Sequence, residues 1–128
     1  MYEYDQTYSS PYNNRDTLFV TLKQVSFSSK ENIVHILYSI NNKTKWYYTF
    51  LPDGYWIEKY ENGSWVCVQS DKGSILMGKE VPANSFVNDS VSISLKEGLY
   101  RFYNIVYSDD ARIEGKKIIL NFEFRVTL

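Results

Sequence analysis

The chain has 128 residues, with 14 Lys+Arg against 15 Asp+Glu, one His, one Cys and 17% aromatic content that includes 12 Tyr. That length fits one domain, and 44% apolar content sets the chain apart from disordered sequences. A net charge of −1 lacks the cationic surplus of a dedicated nucleic-acid binder, one Cys excludes an internal disulfide, and no apolar run is long enough for a membrane span.

Residues 1–16 are polar and dotted with Tyr, and they read as a leader ahead of a domain over 17–128. They contain neither a basic start nor an apolar stretch, so they are not a secretory signal peptide. A cytoplasmic chain beginning at Met1 and a mature exported chain both fit. Three Asn-x-Ser/Thr triplets, at Asn42, Asn62 and Asn88, mark expected surface turns.

From Thr17 onward, β-branched and aromatic residues alternate with polar ones, and turn residues recur at short intervals. Leu18, Val20 and Leu22 share a face, but the phase then shifts to Val25 and Phe27, which predicts a bulge near Gln24. Ile33–Ile40 is apolar on both faces except at His35 and Ser39, as suits a central strand. A turn at residues 41–43 leads to a returning strand over Trp46–Leu51, and Pro52-Asp53-Gly54 predicts a further turn. Tyr55–Tyr60 and Ser64–Gln69 flank Asn62-Gly63, the strongest short-range hairpin signal, because both positions of a type I′ turn need positive φ. Residues 70–90 read as a long connection with one short strand near Ile75–Met77. Val91, Ile93 and Leu95 alternate, Leu99–Tyr107 is apolar except at Arg101 and Asn104, and residues 109–116 form a charged loop. The last strand sets Ile118, Leu120, Phe122, Phe124 and Val126 against Asn121, Glu123, Arg125 and Thr127. No segment holds a 3.6-residue apolar period, so little or no helix is expected.

About seven to nine antiparallel strands must bury their apolar faces, either as two packed sheets or as one closed sheet. Tyr100 follows Gly98 at the start of the penultimate strand, where an immunoglobulin-like sandwich places a tyrosine corner. An ordinary core aromatic is the other reading of Tyr100. Trp46 suits the inner-strand Trp position of such a sandwich.

An ordered series of short motifs, Ile40-Asn-Asn-Lys-Thr44, Tyr55-Trp-Ile-Glu-Lys59, Asn62-Gly-Ser-Trp65, Gly98-Leu-Tyr-Arg101 and Asn121-Phe-Glu-Phe124, resembles a bacterial immunoglobulin-like domain family. That family occurs in small exported proteins and lipoproteins, often Gram-positive. The resemblance covers about residues 17–128. It implies an immunoglobulin-like β-sandwich, a non-catalytic binding or accessory role and a place in the cell envelope; it supplies no catalytic residues. A small intracellular inhibitor or adaptor, of mobile-element origin, is the alternative.

The residues themselves point away from catalysis. One His and one Cys make neither a zinc site nor a nucleophile–base pair without further partners. His35 reads as a satisfied core or rim residue and Cys67, between two valines, as a buried thiol. Asp109, Asp110 and Glu114 match no calcium loop and are neutralised by Arg112, Lys116 and Lys117. No metal site and no cofactor are expected. A sandwich core uses one face of each strand, so the aromatic surplus must reach the surface. Trp56, Tyr60 and Trp65 are the candidate recognition surface, for a protein partner or alternatively a glycan. Cross-strand pairing within the sheet would also account for them.

Overall fold

The computed structural model describes residues 2–5, 18–70, 78–108 and 117–127. Nine strands span Tyr2–Asp5 (β1), Leu18–Ser28 (β2), Ile33–Asn42 (β3), Tyr48–Glu61 (β4), Ser64–Ser70 (β5), Lys79–Val81 (β6), Ser85–Ile93 (β7), Gly98–Ser108 (β8) and Lys117–Val126 (β9), and no helix occurs among the described residues. They form two antiparallel sheets. The larger runs β1-β9-β8-β4-β5, with β6 also on β4; the smaller runs β2-β3-β7.

Alternation decides what each strand buries. In the small sheet Leu18, Val20, Val34, Ile36, Tyr38, Ile40, Val91 and Ile93 point inward; in the large sheet Phe50, Ile57, Tyr100, Phe102, Leu120, Phe122 and Phe124 meet them. Tyr38 is fully buried at the centre, with its ring centroid 5.1 Å from that of Phe102, 6.0 Å from Phe122 and 6.2 Å from Phe50. Aromatic pairs at these distances add attraction beyond the area that they bury.

The expected irregularity in β2 lies between Leu22 and Gln24, and the two halves of the strand pair with β3 on either side of it. The Asn62-Gly63 hairpin forms with φ of 52° and 84°, as a type I′ turn requires. β3 is the central strand of its sheet.

Four expectations are corrected. Pro52-Asp53-Gly54 does not separate two strands: β4 runs through it and stays on β8, with Leu51 opposite Ile105 and Trp56 opposite Tyr103. Pro52 to Tyr55 therefore face Asn104 alone. A bulge of this kind tolerates Pro because no ladder bond is asked of its nitrogen. The strand after residues 41–43 does not return beside β3 but crosses to the other sheet, and β4 begins at Tyr48, leaving Trp46 half-buried before it. Asn42 fixes this crossing. It is fully buried, donates to the carbonyls of Trp46 (2.8 Å), Val81 and Pro82 (3.1 Å each), and accepts from the Thr44 amide and hydroxyl. It is therefore an internal clamp and not the surface turn that its triplet suggested. Finally, β7 starts at Ser85, inside the expected connection, because pairing with β3 carries its polar half.

The strand expected at Ile75–Met77 and the charged loop at 109–116 lie outside the described residues. Tyr2–Asp5, read as leader, forms an edge strand on β9.

Candidate functional site

The outward face of the large sheet collects the chemistry. Pairing puts Trp56, Tyr103 and Asn121 in one cross-strand row, and Cys67, Glu58, Arg101 and Glu123 in the next. Tyr60 and Trp65 pair beyond them. Side chains on one face of successive strands lie close enough to interact directly.

These groups are interlocked. The Trp56 and Tyr103 rings stack with centroids 4.7 Å apart and planes 6° from parallel. The Tyr103 hydroxyl donates to Glu58 Oε1 at 2.8 Å. Arg101 Nε donates to Glu123 Oε1 at 3.0 Å, and its guanidinium carbon lies 4.0 Å from the Trp65 ring centroid. Tyr60 meets Trp65 edge to face at 5.2 Å. Burial works against the Arg101 charge, yet its bonds to Tyr103 and Glu123 outweigh burial and hold its pKa above the usual value. Burial, aided by the Glu58 carboxylate, raises Tyr103.

All three candidate recognition aromatics thus sit on one face, in different states. Trp56 and Trp65 are half-buried by Tyr103 and Arg101; Tyr60 remains 45% exposed. Residue-by-residue reading missed Arg101, Tyr103, Glu123 and Asn121. The signal was present in the alternation of Leu99–Tyr107, whose Arg101 and Tyr103 share a face opposite to Phe102.

The Tyr100 side chain points the other way, into the core, and its hydroxyl donates to the Lys96 carbonyl at 2.5 Å. His35 Nδ1 lies 2.7 Å from Ser92 Oγ on the outer face of the small sheet. Cys67 is exposed, which corrects its expected burial: β5 is an edge strand, and its two flanking valines are themselves 43% exposed.

A second feature is a cleft of about 190 Å³ at one end of the small sheet, lined by Asn41, Asn42, Lys43, Asn84, Ser85 and Phe86. The side-chain amides of two of its asparagines are already used. Asn41 donates to Thr21 Oγ1 at 3.0 Å, and Asn42 clamps the crossing. The sheet face is the stronger candidate.

In sequence, the chain matches no protein-family model and no curated protein. In structure it is similar to the structural-genomics target SoR45, with a TM-score of 0.56, 17% identity and 88% of each chain covered. It also aligns with the yjhA protein from Bacillus subtilis at a TM-score of 0.48 and 13% identity, over 92% of this chain and 93% of that one. The likeness to SoR45 supports the two-sheet, all-β fold.

Proposed function

We propose that the protein is a non-catalytic binding module of immunoglobulin-like fold that docks a protein partner on the outer face of its large sheet, around Trp56, Tyr60 and Trp65. The immunoglobulin-like reading is supported by strand order. β2, β3 and β7 correspond to the A, B and E strands of such a domain, and β4, β8 and β9 to C, F and G. The Tyr100–Lys96 bond is the second support, since it lies at the start of the penultimate strand and reaches back to the preceding connection. β1 on the edge of β9 is an addition to that plan.

The observation that carries the binding role is the aromatic and charged lattice on one face, where Tyr60 is exposed and Trp56, Trp65, Arg101 and Tyr103 are half-buried. Such side chains bury large areas on association, and fixing them in advance lowers the entropy lost on binding. Ring orientation favours a protein over a glycan. Trp56 and Tyr103 lie parallel at about the spacing of neighbouring strands, so one face of each ring is covered by the other. A sugar ring would need an open face to lie on. The charges are also paired internally, so capture should survive salt.

The test is affinity capture from the source cell at high salt, using the wild type, Tyr60→Ala, Trp65→Ala and, as a control on the other sheet, Phe86→Ala. A protein retained by wild type and Phe86→Ala but lost from the two face variants, with all folded alike, is the expected result. Loss from Phe86→Ala alone would move the site to the small sheet and overturn the proposal.

A further inference from the structure

Among the described residues the large sheet ends at β5, and this edge differs from the others. β1 carries Glu3 and Asp5, β6 carries Lys79 and Glu80, and the small sheet's edges carry Lys23 on β2 and Asp89 on β7. Charges, short strands and bulges are the devices that keep sheet edges from pairing with other chains. β5 reads Ser-Trp-Val-Cys-Val-Gln-Ser and has no charge at all. Val66 and Val68 are each 43% exposed, and Cys67 and Gln69 are exposed beside them.

The hairpin determines which backbone groups face outward. A two-residue type I′ turn closes on a hydrogen-bonded pair, here Glu61 and Ser64, and bonded pairs then alternate with non-bonded ones. Ser64 and Val66 therefore direct N–H and C=O to β4, whereas Trp65 and Cys67 direct theirs away from the sheet. Val68 is the extra residue of a bulge, because Glu58 pairs with Cys67 but Ile57 pairs with Gln69. The regular open edge is Ser64–Cys67.

We infer that this edge pairs antiparallel with β5 of a second copy of the chain, about a two-fold axis at Val66. An isologous contact must be self-complementary, and antiparallel self-pairing closes it. In this register Trp65 exchanges both backbone bonds with the partner's Cys67, and Cys67 with the partner's Trp65. Val66 faces the partner's Val66 at the non-hydrogen-bonded position, where backbones approach most closely. A strand without charge offers its own copy no repulsion, and both exposed valines lose water contact. The two large sheets become one, with both Tyr60–Trp65 pairs on the same side. The interface is small, so the dimer is weak and concentration-dependent. This inference is independent of the binding role proposed above.

The test is sedimentation of the full chain over roughly 10 µM to 1 mM, the range of a weak, small interface. Mass rises from the 15.1 kDa monomer towards twice that value. Val66→Glu and Val66→Lys each put like charges on the axis and stay monomeric, and an equimolar mixture of the two regains the dimer. As a second readout, a Cys67→Ser/Val66→Cys chain oxidised with diamide forms the intermolecular disulfide roughly tenfold faster than wild-type Cys67, because closely approaching pairs suit disulfide geometry. A wild type that stays monomeric throughout, a Val66→Glu chain that still dimerises, a mixture no better than its components, or equal crosslinking at Cys67 would each overturn the inference.

Discussion

Replacing Tyr38 by Phe removes one oxygen atom from the middle of the core and leaves the ring packing in place. The hydroxyl donates to Asp89 Oδ2 at 3.0 Å and accepts from Asn104 Nδ2 at 3.3 Å. Asn104 is fully buried, and its Oδ1 already has no hydrogen-bond partner. The substitution therefore strips a buried amide of the bond that satisfies it, at about 1–3 kcal/mol. Asp89 is half-buried and turns to water, so its loss adds about 1 kcal/mol. The total is about 2–4 kcal/mol, and at roughly 4 °C per kcal/mol for a chain of this length it lowers Tm by about 8–16 °C. Urea unfolding with an unchanged slope is the assay. Asn104→Leu removes the stranded amide altogether and should lie within about 1 kcal/mol of wild type; the double variant should be more stable than Tyr38→Phe alone. A Tyr38→Phe loss below about 1 kcal/mol, or a double variant as unstable as the sum of the singles, would refute the reasoning.

Burial, followed by the Glu61 charge, pushes the Tyr100 hydroxyl up to about 12, and burial with the Asp89 charge raises Tyr38 further. The folded state thus holds protons that the unfolded chain releases near pH 10. The contribution of these tyrosines is constant below pH 10 and falls above it, by up to about 1.4 kcal/mol per pH unit for each. Tyr100→Phe should flatten that fall between pH 10 and 12 in unfolding titrations, while lowering neutral-pH stability by about 1 kcal/mol through its lost bond to Lys96. Trp56→Ala, which breaks the stack on Tyr103, should destabilise by about 1–3 kcal/mol, whereas Tyr60→Ala should stay within about 1 kcal/mol; equal losses in thermal unfolding would contradict their different exposure. Cys67 should react with a disulfide reagent in the native protein within about tenfold of the rate of a free peptide thiol, and protection until unfolding would show it to be covered.

The fold was legible where alternation is strict. The β2 irregularity, the Asn62-Gly63 hairpin and the inward set of β9 follow from periodicity and turn chemistry, both local properties. Pro52-Asp53-Gly54 misled because the same residues serve a turn or a wide bulge. What separates these outcomes is that both arms of β4 find partners on β8, about fifty residues downstream in the sequence. Cys67 between valines suggested a core strand, because sequence shows that a strand forms and not where the opposing sheet stops. The candidate face was half legible. Its Trp and Tyr residues stood out by type, whereas Arg101, Glu123 and Asn121 acquire meaning only when β8 and β9 set them in register with β4.

The pairing of β1 with β9 joins Tyr2 to Val126, almost the full span of the chain. β1 precedes β9 by about 110 residues, so during synthesis it has no partner on this edge until β9 has emerged. β1 therefore docks only on an edge that β9 has already formed. Removing β9 would release β1 in the same stroke, so that loss of one strand exposes both β8 and β1.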